Sequence, residues 1–272
     1  MQLGGYSDIQ LVGEGGLGRV YRARRDSTGG TVAIKELRDI SSGSPTWHRA
    51  RRELDALLRL KGHSHVINVE EVIDGPDGPC LIMEYAPGGS LFDRVQTSPL
   101  SVPELVLVGQ HVCDALAASH AVGVIHRDIK PHNLLIGAFG QVKVCDFGIA
   151  SLARDGESRT KTGSLTMAYA SPEELDGSDD IGPAADVYSF AATMLHLASG
   201  RRPSFQDRVD ATGVDFANND EPLLSSIALL RQALAHKPED RPSVADLAAS
   251  FDNDAFALGP RRIKALEPAP GP

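Results

Sequence analysis

The sequence predicts an α+β chain with two lobes, a small strand-rich N-terminal lobe and a larger helical C-terminal lobe. Apolar and polar residues alternate through much of the first third of the chain, as in half-buried strands. Beyond Pro87, Gly88 and Gly89 the apolar residues recur at helical spacing instead. We therefore place the junction between the lobes at residues 84–89.

The N-terminal lobe is predicted to be a small antiparallel sheet with one helix. The helix carries Leu54, Leu57 and Leu58 on one apolar face. Glycine-containing turns separate the strands. The strands are predicted at 9–12, 19–24, 31–37, 66–73 and 80–85, and the helix at 47–60.

The C-terminal lobe begins with a long helix whose apolar stripe runs from Leu105 to Ser119. We predict short strands at 134–136 and 142–145, a polar loop at 151–166, and further helices at 186–199, 222–236 and 244–251. The last residues have no periodicity and contain four prolines. The expected organisation is one domain at 1–256 (N-lobe 1–85, hinge 84–89, C-lobe 90–256) and a proline-rich tail or linker at 257–272.

Composition excludes several classes of protein. The 272 residues carry 27 basic and 36 acidic side chains, a formal charge of −9, which disfavours sequence-independent binding to nucleic acid. No apolar run is long enough for a membrane helix, and the N-terminus lacks the pattern of a secretory signal. The cysteines (Cys80, Cys113, Cys145) are far apart and fit a reduced, cytoplasmic interior.

A glycine cluster at Gly13, Gly15 and Gly18 follows the first predicted strand. A dinucleotide-binding fold would need a helix directly after the third glycine, but the following residues alternate as a strand. A P-loop is excluded because no Gly-Lys-Ser/Thr follows. A glycine-rich turn between two antiparallel strands can lie over phosphates and offer them its backbone N–H groups.

Lys35 is a single lysine in the apolar strand 31–37. It could be an edge lysine that points to solvent, or a phosphate-binding lysine oriented by a carboxylate. Glu53 in the predicted helix is the natural partner for the second role, although Glu36 and Glu14 are nearer in sequence.

The segment His-Arg-Asp-Ile-Lys-Pro-His-Asn at 126–133 is followed by Asp-Phe-Gly at 146–148 and Ser-Pro-Glu at 171–173. Together with the glycine loop, Lys35, Glu53 and Arg241, these motifs follow the order and spacing of the eukaryotic-like protein kinases. The chain thus resembles that family, in its bacterial serine/threonine branch, over residues 6–252. The resemblance implies the bilobal protein-kinase fold.

The resemblance implies an enzyme that takes ATP as its phosphate donor with Mg²⁺, or Mn²⁺ in its place. Asp128 would act as the general base, and Lys130 would steady the transferred phosphate. Lys35, held by Glu53, would bind the α- and β-phosphates. The metal ligands implied are Asn133 and Asp146.

The same resemblance assigns the nucleotide pocket. Its glycine loop would cover the phosphates, a gatekeeper would close the back, and the hinge backbone would meet the purine edge. The residues implied are Val12, Gly13, Gly15, Gly18, Val20, Ala33, Met83, Glu84, Ala86 and Leu135.

Lys130 is typical of the serine/threonine branch, and Thr166 matches the threonine that bonds to the catalytic Asp and Lys. Glu173 and Arg241 are expected to pair. Leu57, Val69, His126 and Phe147 resemble the family's internal spine, which Asp186 is expected to anchor from below. His126 matches a packed structural histidine better than an acid–base group.

In the family, an arginine placed like Arg127, directly before Asp128, pairs with a phosphate on the activation loop, and charge-assisted hydrogen bonds then order that loop. In the polar loop at 151–166, Thr160 and Thr162 resemble an autophosphorylated pair of bacterial relatives. Expected partners are proteins with Ser/Thr acceptors and, by family habit, a second copy bound through the N-lobe. The expected place is the cytoplasm, or the cytoplasmic face of the membrane if the chain continues past the tail. The alternatives are a catalytically inactive scaffold and a small-molecule phosphotransferase of related fold.

Overall fold

The computed structural model confirms the predicted bilobal fold. It describes residues 2–15, 18–37, 47–48, 54–55, 58–75, 78–147, 167–178, 180–204, 207–208, 225–259 and 263–268. The N-lobe sheet has five antiparallel strands in the order β1-β2-β3-β5-β4. The strands are β1 Tyr6–Gly15, β2 Gly18–Arg25, β3 Thr31–Leu37, β4 Val69–Gly75 and β5 Gly78–Glu84.

Strand β3 is central to the sheet, and every residue in it except Thr31 is buried. Its alternating side chains supply two apolar clusters, because successive residues of a strand point to opposite faces. Val32 and Ile34 join the outer cluster, whereas Ala33 and Leu37 join the main core shared with the C-lobe. By the same alternation, Lys35 lies on the face of Ala33, toward the other lobe.

The predicted helix at 47–60 is described only in part. Trp47 and Leu54 are helical and buried, as its apolar face requires. Leu58 was expected on that face, and this prediction is wrong: its side chain is 39% exposed. The backbone tightens into a 3-10 turn at Leu58–Leu60, and Leu60 takes the buried position instead.

The C-lobe contains helices and a small two-stranded hairpin, β6–β7. Several of its helices begin at a serine whose backbone N–H donates to an acidic side chain three residues later. The helices are α1 Leu91–Val95, α2 Val102–Ala121, α3 Pro172–Leu175, α4 Pro183–Ser199, α5 Ser225–Ala233 and α6 Val244–Leu258, and the strands are β6 Leu134–Ile136 and β7 Val142–Val144.

The β6–β7 hairpin is joined to the N-lobe by backbone hydrogen bonds. Ile67 N–H donates to Val144 O at 2.9 Å, and Val144 N–H donates to His65 O at 2.9 Å. On the other strand, Gly88 N–H donates to Ile136 O at 2.9 Å. A Cβ at residue 88 would lie 2.6 Å from the Ile136 side chain, so only glycine allows this close approach. The hairpin therefore lies between the two lobes.

Helix α4 is buried along most of its length and forms the centre of the C-lobe. Helix α6 packs on α2 and ends at Leu258, two residues past the boundary placed at 256. In the segment beyond it, Leu266 is only 3% exposed and belongs to the main core. Among the described residues, no helix is both long and apolar enough to cross a bilayer.

Candidate active site

The loop at 126–133, which the resemblance predicts to be catalytic, is anchored by Asp186, in the first turn of α4. Its carboxylate accepts hydrogen bonds from the backbone N–H groups of His126 and Arg127, each at 2.8 Å, and lies 2.7 Å from His120 Nε2. Arg127 has a φ of 63°, a left-handed conformation that non-glycine residues adopt rarely. Two adjacent N–H groups fixed by one buried carboxylate hold this strained turn in place.

Asp128 is 8% exposed, and its carboxylate is bound on both oxygens. Lys130 Nζ lies 3.0 Å from Oδ1 and 2.8 Å from Oδ2. Asn133 Nδ2 donates to Oδ2 at 3.0 Å and to the Asp128 carbonyl at 2.7 Å. The carboxylate is therefore oriented by a cation and an amide, as a proton acceptor in a fixed position should be.

His126 is fully buried, and both of its ring nitrogens are bonded to backbone. Its Nδ1 accepts from the Asp128 N–H at 3.2 Å, so the proton of the neutral ring is on Nε2, which donates to Cys145 O at 2.8 Å. The ring packs against Phe147, with centroids 4.6 Å apart. His126 thus connects the catalytic loop to the segment before Asp146.

Lys35 is 3% exposed, and its Nζ lies 2.7 Å from Asp146 Oδ1. Burial alone would raise the pKa of Asp146, but the ion pair and hydrogen bond with Lys35 outweigh it and lower the pKa. Asp146 is therefore ionised at neutral pH. Glu53, the partner expected for Lys35, lies outside the described residues.

The two acidic residues nearer to Lys35 in sequence do not pair with it. Glu36 is next to it on β3 and so points to the opposite face, where Tyr21 OH lies 3.4 Å from its Oε2. The other oxygen, Oε1, is buried without a hydrogen bond. The Glu14 carboxylate lies 3.6 Å from Arg19.

Asn133 and Asp146 lie at the open end of the β6–β7 hairpin, joined by a hydrogen bond from Cys145 N–H to Asn133 O at 3.0 Å. The amide nitrogen of Asn133 is used by Asp128, so its carboxamide oxygen is the atom it can offer to a metal. An ionised carboxylate and an amide oxygen are donors that suit Mg²⁺, which keeps several waters. No group of three His, Cys, Asp or Glu side chains suited to a metal occurs in the described part of the chain.

The residues expected to line the nucleotide pocket come from the N-lobe sheet, the segment after it and β6. Ala33 and Met83 are directly paired across β3 and β5, and both are buried. Glu84 N–H donates to Asn68 O at 2.9 Å, so a purine edge would have to meet the Glu84 carbonyl. The remaining positions range from half-buried Val20, Ala86 and Leu135 to Val12, which is 52% exposed.

The glycine cluster lies at the tip of the β1–β2 hairpin. Gly13 pairs with Val20, and Gly15 pairs with Gly18. This is the strand–turn–strand arrangement that the sequence predicts. Behind the pocket, a small cavity of about 20 Å³ is lined by Met83, Asp146 and apolar side chains, including Leu54 and Phe147.

Sequence reasoning missed an ion pair at the hinge. Lys143 on β7 is 7% exposed, and its Nζ lies 3.0 Å from Glu84 Oε2. Lys143 is a single lysine between two valines, the same signal that drew attention to Lys35. The pair connects the hinge to the strand that precedes Asp146.

Glu173 and Arg241 form the expected pair, with two N–H···O bonds of 2.7 Å each. Burial raises the pKa of Glu173, but Arg241 lowers it by more. Three other expected residues, Thr160, Thr162 and Thr166, lie outside the described residues, as does Glu53.

Comparison with known proteins agrees with this geometry. The sequence model of the family described as "Protein kinase domain" matches residues 6–251. The chain is 33% identical over 255 residues to the serine/threonine-protein kinase PknK of Mycobacterium tuberculosis, covering 89% of this chain and 23% of that protein. It is 33% identical over 287 residues to the serine/threonine-protein kinase Pkn1 of Myxococcus xanthus, covering 100% of this chain and 41% of Pkn1.

A third relative, serine/threonine-protein kinase A of Synechocystis, is 33% identical over 269 residues, covering 89% of this chain and 51% of the relative. The chain thus spans about a quarter to a half of the length of these relatives. A solved structure of a double mutant of the PknI kinase domain from M. tuberculosis has a TM-score of 0.72 at 25% identity, covering 93% of this chain and 96% of that one. The match over residues 6–251 and these bacterial relatives confirm the resemblance: the chain belongs to the protein kinase family, in its serine/threonine branch.

Proposed function

We propose that the chain is an active kinase that transfers the γ-phosphate of ATP to Ser and Thr hydroxyls of proteins. The observation that carries this proposal is the joining of two ion pairs in one site. Asp128–Lys130 and Lys35–Asp146 are connected through Asn133 and Cys145. An inactive scaffold has no need to keep two buried, charged pairs in register.

In the proposed reaction, the Asp128 carboxylate accepts a hydrogen bond from the substrate hydroxyl and then takes its proton. Lys130, within 3.0 Å of both carboxylate oxygens, would hold this group in place and put a cation beside the transferred phosphoryl group. Asn133 fixes the carboxylate plane. Phosphoryl transfer demands mainly such positioning and charge stabilisation.

At the donor side, Lys35 would bind ATP phosphate oxygens from beneath the glycine tip of β1 and β2. Its ammonium is almost inaccessible to water, which strengthens any charge–charge contact it makes. Asn133 and Asp146 would hold Mg²⁺, which when bound screens the negative charge of the phosphates.

We also propose that Thr160 and Thr162 are autophosphorylated and that Arg127 responds to that phosphate. Arg127 has a strained backbone and directly precedes Asp128. A charge-assisted hydrogen bond from Arg127 to the phosphate would therefore affect the conformation next to the proposed base. The proposed setting is cytoplasmic signalling, because Cys80, Cys113 and Cys145 are buried free thiols, as a reducing compartment allows.

The test compares the wild-type chain with Asp128→Asn in phosphate transfer from radiolabelled Mg-ATP to casein. Losing a positioned base should lower the rate by about 10²–10⁴-fold while ATP still binds. Asp252→Asn is the matched control, because Asp252 is an exposed carboxylate on α6 that accepts a hydrogen bond from the Gln110 side chain. Mass spectrometry of the same incubations should find phosphate on Thr160 and Thr162 in the wild-type and Asp252→Asn chains but not in Asp128→Asn.

Three other outcomes would contradict all or part of the proposal. A wild-type chain that labels neither casein nor itself contradicts the kinase proposal and favours a scaffold. Transfer to small hydroxyl compounds alone indicates a small-molecule phosphotransferase. An active Asp128→Asn chain contradicts the role given to Asp128.

A further inference from the structure

We propose that residues 263–268, which we call the C-terminal strap, position the metal-binding end of the β6–β7 hairpin, with Leu266 as the positioning residue. The proposal rests on the function proposed above, because it concerns where Asn133 and Asp146 are held. Nothing in the sequence of the strap indicates this, since the segment lacks periodicity and was expected to be a tail or linker.

The strap is anchored by one deeply buried side chain. Leu266 is 3% exposed and belongs to the main core, and Ile263 packs against that core from a half-buried position. The other strap residues, Lys264, Ala265, Glu267 and Pro268, are exposed. A segment that merely lay on the surface would not bury a leucine this completely.

The backbone of the strap contacts the backbone of the β6–β7 turn. Leu266 N–H donates to Gly140 O at 3.1 Å. A Cβ at residue 140 would lie 2.6 Å from Ala265 Cβ and 2.7 Å from Leu266 O, distances that real Cβ atoms do not adopt. Gly140 also has a φ of 75°, which a side chain would strain. The turn can therefore accept the strap only with glycine at residue 140.

The opposite end of the same hairpin carries the two expected metal ligands. Asn133 directly precedes β6, and Asp146 is the second residue after β7. Each strand has only three residues, or about 10 Å at 3.3 Å per residue. The hairpin therefore depends on outside contacts at both ends: Val144 bonds to His65 and Ile67 near the open end, and the strap bonds to the turn. Because only about 10 Å separate the two ends, release of the turn should loosen the open end as well.

The experiment uses the full chain with Leu266→Ser, the near-isosteric Leu266→Met, and Phe256→Ser as control. Phe256 is 90% exposed on α6, so it matches Leu266 as a large apolar side chain without packing. Amide hydrogen exchange of residues 134–144 should be about tenfold faster in Leu266→Ser and near wild type in the other two. The Mg²⁺ concentration for half-maximal rate should rise about three- to tenfold in Leu266→Ser alone.

The Mg²⁺ dependence distinguishes a displacement of Asn133 and Asp146 from a loss of folding stability. Irreversible loss of folded protein lowers the maximal rate but leaves the half-saturating Mg²⁺ concentration unchanged, and assays well below each variant's melting temperature remove any contribution from reversible unfolding. Gly140→Ala, which pushes the strap away from the turn, should show the same two changes as Leu266→Ser. The double variant should show less than their sum, because the strap is already displaced.

Unchanged exchange over 134–144 and unchanged Mg²⁺ dependence in both single variants would overturn the proposal, even if their melting temperatures fell. A wild-type chain without phosphate transfer would refute the proposed function instead. In that case hydrogen exchange still decides whether the strap holds the hairpin.

Discussion

Arg241 shows how much one side chain can connect. Its five guanidinium N–H donors are all used: two bind Glu173, and the other three bind the carbonyls of Ala184, Ala235 and His236. The guanidinium is completely buried. Because every donor is satisfied, the cation is stable inside the protein, and three separate segments depend on it.

We expect Arg241→Lys to lower the free energy of unfolding by about 3–5 kcal/mol, since an ammonium cannot replace the planar fork and leaves buried acceptors without donors. Urea unfolding measures this loss. Arg201→Lys is the control, because Arg201 makes the same two-bond contact to Asp207 but its side chain is 59% exposed. There the loss should stay below about 1 kcal/mol, and equal losses would show that burial is not the cause.

Residue types at the site could be predicted from sequence, but only some of their partners could, such as the Glu173–Arg241 pair. Lys35 and Asp146 were both expected, yet their 2.7 Å contact joins residues 111 positions apart, which no local pattern reports. Glu36 is buried because it lies on the strand face that packs in the outer cluster, which includes Tyr21. The sequence of β3 alone does not show that this face is covered.

At the scale of elements, β7 is held by two histidines from different segments. His65 Nδ1 lies 3.0 Å from Val142 O, and His111 Nδ1 accepts from Val142 N–H at 3.1 Å. The two rings stack with centroids 3.9 Å apart. Asp114 faces His63 and His65 from α2. Burial, and then His65, lower the pKa of His111 to about 4.

This pKa predicts a loss of stability in mild acid. Below pH about 6.5 the unfolded chain binds a proton at residue 111, whereas the folded chain does not bind it until about pH 4. The free energy of unfolding should therefore fall as pH drops through this window, by up to about 1.4 kcal/mol per pH unit for this one group. Urea unfolding at a series of pH values measures the slope.

His111→Asn should make the slope shallower, because an amide oxygen can still accept from Val142 but does not titrate. His196, whose pKa burial also lowers to about 4, continues to contribute in both chains. His48→Asn, at an exposed ring, is the control. An unchanged slope in His111→Asn would contradict the assignment.

The longer elements followed from periodicity, and the short strands β6 and β7 were predicted within one residue, but the short helices were not predicted. Strand β3 and helix α4 were predicted within a few residues, since both bury a regular pattern. Helices α1 and α3 have five and four residues, too few for a helical repeat. Their starting serines, each followed by an acidic residue at the third position, were the available signal.

At the scale of the whole molecule, the lobes are joined by charge as well as by backbone. Lys143 and Glu84 form a pair between β7 and the hinge, and they are unequally buried: the side chains are 8% and 32% exposed. Removing Glu84 leaves the Lys143 ammonium buried, whereas removing Lys143 leaves the Glu84 carboxylate partly exposed to water. The cost of the two removals should therefore differ.

We expect Glu84→Met to destabilise the chain by about 2–4 kcal/mol, because it leaves a buried ammonium without its carboxylate. Lys143→Met should cost less than about 1 kcal/mol, since water reaches the remaining carboxylate. The double variant should recover part of the loss of Glu84→Met. Equal losses, or no recovery in the double variant, would mean that the pair does not couple hinge and hairpin.

The overall architecture could be predicted because the change from strand to helix periodicity at residues 84–89 coincides with the boundary between lobes. The strap could not be, because its docking depends on a matching surface at Gly140 rather than on its own pattern. Long-range fit of this kind is a property of the assembled chain.

The two hydrogen bonds of the His126 ring have a consequence for motion. One nitrogen is tied to the residue that would take the proton, and the other to the residue before Asp146. A flat aromatic ring cannot stretch, so it works as a spacer of fixed width. The segment of Asp128 and the segment of Cys145, which precedes Asp146, should therefore stay at a fixed separation and move together in any motion of the lobes.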